Sequence, residues 1–320
     1  MTWVVVYNGN YVFLMLKLTW SEVLTHRHLI FYWITHLLLE VRMRDSTALP
    51  NLMILPTDFL LLHEDFDPRR AEKLSHRILA GGLLKHPPIV APIPNTDLYV
   101  VLDGANRTSA FALAGISHIV AQVVDYNDPD IIVDTWYHVV SGVDFEVFDH
   151  GLTNIDHLQL IDCSLDEARR ALAQRAAIAY IVCERGVRLV IPPAGGNLGA
   201  LKLLNQIVAT YRGKADIYRA SNDIWEIQKP YYPDITALLI FAPLQPADII
   251  EAALGDQKIP TGITRHIVPA RALNINFPVG ILMSSWSLER KRAWLREWLM
   301  ERMAANAIRY YAESTFSFNE

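Results

Sequence analysis

The sequence predicts a mixed α/β (α+β) fold, and two observations lead to this prediction. Short runs rich in β-branched and aromatic residues alternate with segments whose apolar residues recur at helical spacing, a pattern typical of compact α/β domains. Hydrophobic residues make up 52% of the 320 residues and charged residues 20%. This apolar content is enough to form a core, and it excludes a disordered chain.

The pattern divides the chain into four segments. We predict an N-terminal extension over residues 1–49, a first α/β domain over 50–127, a mixed connector over 128–159 and a second α/β domain over 160–320. The longest apolar run of the extension, Leu29–Leu39, is well short of the roughly 20 residues that a membrane span needs. Two interpretations of the extension stay open: an added hairpin and helix, or sequence upstream of the true start.

In the first domain, the predicted elements carry local signals at their ends. The Gly81-Gly82 pair is a helix-stop signal, and Pro94-Asn95-Thr96-Asp97 is typical of a hairpin connection. The predicted elements are a strand and turn over Leu52–Leu62, a helix over Arg69–Ala80, strands over Pro88–Ile93 and Leu98–Leu102, a helix over Asn106–Ala114 and a strand over Ile119–Tyr126.

In the second domain, Ser164 and Glu167 have the spacing of a capping box at the start of a helix. Gly195-Gly196-X-X-Gly199 precedes another helix. This motif is either a close-packed turn or a segment whose backbone lies close to a bound phosphate. It matches no established nucleotide-binding fingerprint. The predicted elements are helices over Leu165–Ala179, Asn197–Tyr211, Pro246–Leu254 and Leu288–Ala312, and strands over Val187–Ile191, Ala237–Phe241 and Ala272–Phe277.

Charge and cysteine content narrow the functional class. Against 34 acidic residues there are 29 Lys and Arg, so the net charge is −5 and the basic footprint of a nonspecific nucleic-acid binder is absent. Two cysteines, Cys163 and Cys183, cannot form a disulfide framework, which favours a reducing compartment. We therefore expect a cytoplasmic protein with neither membrane nor nucleic acid as a partner; the sequence does not predict its oligomeric state.

The most informative stretch is a strand that passes through an Asp-Gly turn directly into a helix, over residues 100–110. Unpaired N–H groups and the dipole at a helix N-terminus favour an anion, and arginine adds a planar cationic group. The stretch is therefore either a phosphate cradle or an ordinary strand–turn–helix with polar caps. Its polar turn comprises Asp103, Gly104, Ala105, Asn106, Arg107 and Thr108.

Residues 52–126 resemble the ParB/sulfiredoxin superfamily domain, whose signature is Asp-Gly-X-(His/Asn)-Arg after a strand. Within that superfamily, the His63-Glu64 pair resembles the free L-serine kinase branch. Other segments that match are Leu55-Pro56, Gly82-Leu83, Pro88-Ile89-Val90, Thr135-Trp136-Tyr137-His138 and Thr264–Arg271.

The resemblance implies a phosphotransferase with its site in the cleft between a ParB/sulfiredoxin-like domain and the second α/β domain. It implies that Glu64 takes the proton from the hydroxyl of L-serine, that ATP or ADP is the donor, and that Mg²⁺ bridges its phosphates. The implied phosphate-binding residues are Asp103, Gly104, Ala105, Asn106, Arg107 and Thr108. The implied substrate-binding residues are Trp136, His138, Arg265, His266 and Arg271.

Two residues depart from the patterns of particular branches of the superfamily, and other interpretations stay open. Ala105 stands where sulfiredoxins have their catalytic cysteine, which excludes sulfiredoxin chemistry. Asn106 stands where the serine kinase signature usually has a second histidine; asparagine still donates to a phosphate, but it carries neither a proton to transfer nor a positive charge. A ParB-like nucleotide-binding regulator or DNA-associated protein without turnover is one alternative, and Asn106 keeps open a catalytically silent structural homologue. For Glu64 the alternative is a solvated acidic turn, and for Trp136 and His138 it is a half-buried aromatic and a buried histidine with a structural role. The net charge of −5 counts against the regulator.

Overall fold

The structure is a computed structural model that describes residues 2–6, 14–18, 49–192 and 197–311. The chain forms two compact units, residues 50–309 and residues 1–49 with 310–320. In the smaller unit, strand β1 (Thr2–Val6) pairs with strand β2 (Leu14–Leu18) in antiparallel register. The helix considered for the extension and the Gly195-Gly196 pair lie outside the described residues.

A five-stranded mixed sheet forms the first part of the larger unit, in the order β3-β8-β6-β7-β4. Pairs β3–β8 and β6–β7 are antiparallel, whereas β6–β8 and β4–β7 are parallel. The predicted hairpin of two β-rich runs is thus confirmed. The strands are β3 (Leu52–Pro56), β4 (Leu60–Leu62), β6 (Ile89–Pro92), β7 (Tyr99–Asp103) and β8 (His118–Val123).

Two helices follow strands of this sheet, and both confirm the sequence prediction. Helix α1 (Pro68–Gly81) is capped by the Asp67 carboxylate, which accepts from the backbone N–H of Arg69 and Arg70. It ends at Gly82, which adopts the left-handed conformation (φ 62°). Helix α2 (Ala105–Leu113) begins directly after the turn at Gly104.

A six-stranded antiparallel sheet forms the second part, in the order β11-β13-β12-β15-β10-β14. Its strands are β10 (Tyr137–Ser141), β11 (Gln159–Cys163), β12 (Ala179–Cys183), β13 (Gly186–Ile191), β14 (Asp216–Ala220) and β15 (Ile235–Phe241). Two short antiparallel pairs complete the strands: β5 (Leu83–Leu84) with β17 (Phe277–Pro278), and β9 (Ile132–Thr135) with β16 (Thr264–Ile267).

Seven further helices surround the sheets in the described part of the chain. The capping box at Ser164 and Glu167 is confirmed, with both reciprocal hydrogen bonds present. The helices are α3 (Phe145–Thr153), α4 (Leu165–Ala173), α5 (Asn197–Tyr211), α6 (Trp225–Gln228), α7 (Pro246–Leu254), α8 (Val279–Met283) and α9 (Leu288–Ala304).

One hydrophobic core joins the two sheets. It contains Leu102 of β7 together with Ile181 of β12 and Leu239 of β15, all at most 4% exposed. The opposite face of the five-stranded sheet packs against α2 and α9, and the opposite face of the six-stranded sheet packs against α4. The sheets are therefore held in one apolar unit, which fixes the strand ends that carry the candidate site.

Three predicted elements differ from the structure. Helix α4 ends at Ala173 and not at Ala179, because Arg175 adopts a positive φ of 56° and the chain then enters β12. The strand predicted over Ala272–Phe277 is wrong: Asn274 and Asn276 have left-handed backbones, which interrupt a strand. Helix α9 ends at Ala304 and not at Ala312.

The segment 128–159, predicted as a connector, contributes β9, β10 and α3, and β10 lies within the six-stranded sheet. The domain boundaries drawn at 127 and 160 stay a prediction. Among the residues that the structure describes, no helix combines the length and apolar character needed to cross a bilayer.

Candidate active site

The candidate site lies where two neighbouring parallel strands end. Strands β4 and β7 pair in register, with Leu62 opposite Val101. The residues that follow them, His63-Glu64 and Asp103-Gly104, therefore leave the sheet at the same edge. Carboxyl ends of adjacent parallel strands are a common place for ligand sites, because loops from both strands converge there. The fold thus brings together two motifs that lie about forty residues apart.

Gly104 shapes the turn between β7 and α2. Its φ of 102° lies in the region that L side chains rarely adopt. A Cβ atom built on Gly104 would lie 3.0 Å from the Cα atom of Pro88, so the neighbouring backbone also leaves no room for a side chain. The first backbone hydrogen bond of α2 runs from Thr108 N–H to Gly104 O, and no side chain caps the helix. The first N–H groups of α2 are therefore available to an anion.

The side chains around this helix N-terminus have unused hydrogen-bonding capacity. Arg107 Nη2 donates to Asp103 Oδ2 (3.3 Å), and Arg271 donates to the same carboxylate oxygen. Arg107 Nε and Thr108 Oγ1 are buried without a hydrogen-bond partner among the described residues. Buried polar groups normally have partners, so these two atoms indicate a ligand that accepts hydrogen bonds. We call the group comprising Asp103, Gly104, Ala105, Asn106, Arg107 and Thr108 the phosphate cradle, after the role that the sequence predicts for it.

Asn106 links the phosphate cradle to the loop that carries Glu64. Its Oδ1 atom accepts from the backbone N–H of Asp67 (3.1 Å), the residue that caps α1. Its Nδ2 amino group forms no hydrogen bond with the described residues and is free to donate to a phosphate. Asn106 thus combines a structural bond to the Glu64 loop with a donor that is available to a ligand.

The backbone around Glu64 is fixed by a segment from the far end of the chain. Ile259 N–H donates to His63 O (2.9 Å), and Asp65 N–H donates to Ile259 O (2.9 Å), so Glu64 and Ile259 form a parallel β-bridge. Glu64 is therefore not part of a solvated acidic turn, the alternative that its sequence neighbours allowed.

The carboxylate of Glu64 accepts two hydrogen bonds at Oε2. Thr264 Oγ1 lies 2.9 Å away and the Gly262 N–H 3.3 Å away. Burial raises the pKa of Glu64 above its usual value and the charge of Asp103 adds to this rise, while the two hydrogen bonds and the charge of Arg219 oppose it. Oε1 has no hydrogen-bond partner among the described residues. The side chain thus presents one free oxygen with raised proton affinity, as a general base requires.

His63 is buried behind Glu64. Its Nδ1 lies 2.7 Å from Val101 O and its Nε2 2.9 Å from Thr264 Oγ1. Burial, together with the charge of His266, lowers the pKa of His63 to about 3, so the ring is neutral and its proton lies on Nδ1, facing the carbonyl. The Thr264 hydroxyl lies within hydrogen-bond distance of two acceptors, His63 Nε2 and Glu64 Oε2, but it has one hydrogen to donate. When Glu64 is protonated, its own proton can fill the second of these two hydrogen bonds.

Two histidines predicted to bind substrate border this region as buried residues. His138 is bonded through Nδ1 to the Tyr211 hydroxyl (2.8 Å) and through Nε2 to Gly262 O (3.3 Å). His266 Nε2 lies 2.8 Å from the Tyr126 hydroxyl, and the ring meets His63 edge-on at 5.4 Å between centroids. Burial lowers the pKa of both histidines to about 4.

The remaining predicted substrate residues are engaged by neighbours. The Arg265 guanidinium lies over the Trp136 ring, 4.2 Å from its centroid, and pairs with Asp134 at 3.5 Å. Arg271 joins the phosphate cradle through its bond to Asp103. The structure therefore places Arg271 with the cradle and the Trp136–Arg265 pair on the neighbouring β9–β16 ribbon.

Three contributors were missed by sequence reasoning: Gly262, Thr264 and Arg219. The first two surround the Glu64 carboxylate, and the Arg219 guanidinium packs against Gly262. Thr264 lies in a segment that resembles the serine kinase branch, so a signal for it existed. Arg219 lies alone on an edge strand, and nothing in its sequence neighbourhood marks it.

A cavity of about 890 Å³ lies beside α5 and α7. Ile259 and Ile263, which lie close to Gly262 in the sequence, are among its lining residues, but neither Glu64 nor any residue of the phosphate cradle is. The candidate site is therefore defined by the hydrogen bonds and charges around Glu64 and Asp103.

The described residues contain no group of three or more His, Cys, Asp or Glu side chains arranged to hold a metal ion. Asp103 still offers one carboxylate oxygen, Oδ1, because both arginines bind Oδ2. One carboxylate together with substrate phosphates is the ligand set typical of Mg²⁺ in phosphoryl-transfer sites. The residues present therefore fit a magnesium ion that arrives with a nucleotide.

Comparison with known proteins finds L-serine kinases among those whose sequences are similar to this chain. No protein-family model matches the chain. The ATP-dependent L-serine kinase SbnI of Staphylococcus aureus is 23% identical over 266 residues, which cover 83% of this chain and 96% of that protein. The ATP-dependent L-serine kinase of Staphylothermus marinus is 24% identical over 237 residues, 71% of this chain and 89% of that protein.

Solved structures agree with these relatives at the level of the fold. C-terminally truncated SbnI from Staphylococcus aureus has a TM-score of 0.63 at 21% identity, covering 79% of this chain and 97% of that one. A free serine kinase in complex with AMP has a TM-score of 0.60 at 20% identity, covering 73% and 95%. The resemblance to the free L-serine kinase branch, inferred from Asp103-Gly104 and His63-Glu64, is confirmed by relatives that match most of the chain.

Proposed function

We propose that this protein transfers a phosphoryl group from ATP or ADP to the hydroxyl of free L-serine, giving O-phospho-L-serine. The observation that carries the proposal is the position of Glu64. This half-buried carboxylate has one free oxygen and raised proton affinity, and it lies within electrostatic range of Asp103 in the phosphate cradle. A base and an anion-binding helix N-terminus side by side are what phosphoryl transfer to an alcohol requires. The kinase activities of SbnI and of the Staphylothermus marinus protein support it.

On the acceptor side, the proton of the serine hydroxyl passes to Glu64 Oε1 as the oxygen attacks the terminal phosphorus. The bond between that phosphorus and the bridging oxygen breaks, which releases ADP when the donor is ATP and AMP when the donor is ADP. Thr264 and Gly262 hold Oε2 and so fix the direction in which Oε1 points. His63 fixes Thr264 in turn through its Nε2 atom. The base is therefore oriented by neutral groups, which leave its proton affinity high enough to accept the proton.

On the donor side, the phosphate cradle binds the phosphates of the nucleotide. The unpaired N–H groups at the start of α2 and the unpartnered Arg107 Nε and Thr108 Oγ1 supply donors to the phosphate oxygens. Arg271 extends the positive charge on the other side of Asp103. These groups neutralise charge on the transferring phosphoryl group, which is the main work of catalysis in this reaction class.

Mg²⁺ is part of the proposal, with Asp103 Oδ1 as its protein ligand. When bound, the ion would neutralise phosphate charge and align the phosphates for in-line transfer. We also keep the division into domains over 50–127 and 160–320 as part of the proposal, with the substrates between them. A cytoplasmic location follows if the reaction uses cytoplasmic nucleotide and free serine.

The direct test is to incubate the purified protein with L-serine, Mg²⁺ and either ATP or ADP, and to detect phosphoserine by mass spectrometry. We expect product with at least one nucleotide, and the ratio of the two rates identifies the donor. Absence of product with both nucleotides would refute the proposal. Omission of Mg²⁺ with EDTA present should stop turnover, while turnover that persists without metal would remove the ion from the mechanism.

A further inference from the structure

An arginine that belongs neither to the phosphate cradle nor to the predicted substrate residues lies beside the candidate base. Arg219 is on β14, the edge strand of the six-stranded sheet, directly opposite His138 of β10. Its guanidinium packs flat against Gly262: a Cβ atom built on that glycine would lie 3.0 Å from Arg219 Nη2 and 3.6 Å from Cζ. Gly262 has a φ of 89° and donates its N–H to Glu64. A single peptide unit thus separates the guanidinium from the carboxylate of the base.

The charge of Arg219 is felt at the base but is not neutralised. Its field is one of the influences that lower the pKa of Glu64 against the effect of burial. Arg219 forms no ion pair with any carboxylate that the structure describes, whereas its neighbour Arg212 pairs with Asp65 at 3.8 Å. The arginines of the phosphate cradle, Arg107 and Arg271, both pair with Asp103. Arg219 is therefore an exposed guanidinium with its full hydrogen-bonding capacity, next to a carboxylate that it does not bind directly.

The acceptor of the proposed reaction carries a group that matches this capacity. Free serine has a hydroxyl and a carboxylate on adjacent carbons, so a residue that binds the carboxylate must lie close to the base that takes the hydroxyl proton. Guanidinium binds carboxylate through two parallel hydrogen bonds with fixed geometry. The other arginines considered for this role are engaged: Arg265 by Trp136 and Asp134, and Arg271 by Asp103.

We propose that Arg219 binds the carboxylate of the acceptor and thereby makes the enzyme specific for an amino acid over a simple alcohol. This inference rests on the proposed function. Docking of the carboxylate also cancels the charge that helps to keep Glu64 ionised, so the base becomes stronger when the acceptor is in place. Arg219 then distinguishes acceptors that carry a carboxylate from those that do not, while other groups bind the nucleotide.

The test compares two acceptors that differ only in the carboxylate: L-serine and L-serinamide, which keeps the hydroxyl and the amine. For Arg219→Ala, we expect kcat/KM for L-serine to fall about 100-fold, the loss expected for a bidentate charged contact. For L-serinamide we expect a fall of less than about 10-fold, since only the field on Glu64 changes. The KM for the nucleotide should not change. Arg219→Lys keeps the charge without the fork and should lie between wild type and Arg219→Ala.

Arg185→Ala is the matched control, because Arg185 is an exposed arginine paired with Glu146 on the β12–β13 side of the sheet. It should behave as wild type towards both acceptors. Equal losses on L-serine and L-serinamide in Arg219→Ala would overturn the inference, and so would a raised KM for the nucleotide, which would place Arg219 on the donor phosphates. If Arg219→Ala does not fold, the acceptor ratio of Arg219→Lys decides. A wild-type protein that makes no phosphoserine refutes the proposed function instead, so the two failures are distinguishable.

Discussion

The phosphate cradle and the surroundings of Glu64 meet at one sheet edge, yet they are built in opposite ways. The cradle comes from a single run of six residues, is partly exposed, and combines cationic side chains with the N-terminus of α2. The base pocket, which we define as Glu64 with His63, Gly262 and Thr264, draws on segments 200 positions apart and orients its carboxylate with neutral groups. One region combines several charged groups, and the other orients a single partly buried proton acceptor. The difference suggests that damage to each should have a separate kinetic signature.

Glu64→Gln should cause the largest loss of activity. The loss should come from the base pocket and leave nucleotide binding in the phosphate cradle intact. The amide oxygen can still accept from Thr264 and Gly262, but it cannot take a proton. We expect kcat to fall by about 10²–10⁴-fold, the usual contribution of a general base, with nucleotide affinity unchanged. Phosphoserine formation and nucleotide titration by calorimetry measure the two quantities. An undiminished rate would show that another group takes the proton.

Arg107→Gln should weaken nucleotide binding, whereas Glu64→Gln should lower kcat. It removes a cationic group whose Nε is buried and unpartnered in the free protein. We expect the KM for the nucleotide to rise by about 10- to 100-fold, since a hydrogen bond to a charged group contributes about 1.5–3 kcal/mol. The KM for L-serine should stay within about 3-fold of wild type. A change confined to L-serine would contradict the assignment of the cradle to the donor.

Thr264→Val tests how the base pocket sets the proton affinity of Glu64. The Thr264 hydroxyl bond lowers the pKa of Glu64, so its loss should raise that pKa and move the acidic limb of the kcat/KM–pH profile to higher pH. Because the ionised form of Glu64 is the active one, activity below the new limb should fall, by about 10-fold for each unit of displacement.

Thr261→Val is the matched control for this variant, since Thr261 donates to the Asp65 carbonyl and not to Glu64. Its pH profile should coincide with that of wild type. A Thr264→Val limb that stays in place, or moves to lower pH, would show that the hydroxyl does not stabilise the ionised base.

The last prediction concerns the free energy of unfolding, and it involves three buried histidines in and around the base pocket. Burial lowers the pKa of His63 to about 3 and those of His138 and His266 to about 4. In the unfolded chain these histidines bind protons once the pH falls below their ordinary pKa near 6.5. In the folded chain they stay neutral over this range. The free energy of unfolding should therefore fall as pH drops from about 6.5 to 5, by up to about 1.4 kcal/mol per pH unit for each histidine.

Urea unfolding at a series of pH values measures this slope. His138→Gln should reduce it by the contribution of one proton, whereas Arg107→Gln should leave it unchanged. A free energy of unfolding that does not vary with pH in this window would mean that the buried histidines are not held neutral.

The contrast also explains which parts were predictable from sequence. The cradle is local: a strand, an Asp-Gly turn and a helix start are adjacent in the chain, and backbone rules indicate an anion site. Most of the described helices were predicted because their end signals are also local, as at Gly82. Strands β9, β10, β11, β12, β14 and β16 were not predicted from the sequence. The strand predicted over Ala272–Phe277 failed because the left-handed backbones of Asn274 and Asn276 are set by their surroundings and not by an apolar pattern.

The base pocket was predictable only in part. Glu64 was found through resemblance, because an acidic loop by itself is more often solvated. Thr264, Gly262 and Arg219 acquire their roles only when β14 and the segment before β16 are brought to the end of β4. No periodicity or spacing rule encodes contacts between such distant positions, so the acceptor side had to come from the structure.

The bridge between Glu64 and Ile259 determines which part of the candidate site forms first while the chain is being synthesised. Segments that depend on nearby residues can form while the chain is still emerging from the ribosome, and the cradle is one of them. The carboxylate of Glu64, by contrast, has no partner until synthesis has passed Thr264. Closing the loop between Glu64 and Thr264 costs conformational entropy, and the contacts that offset this cost form only after the whole loop has been made. We therefore expect a chain that ends before residue 259 to bind phosphate at the phosphate cradle without an oriented Glu64, because residues 259–264 hold that carboxylate in place.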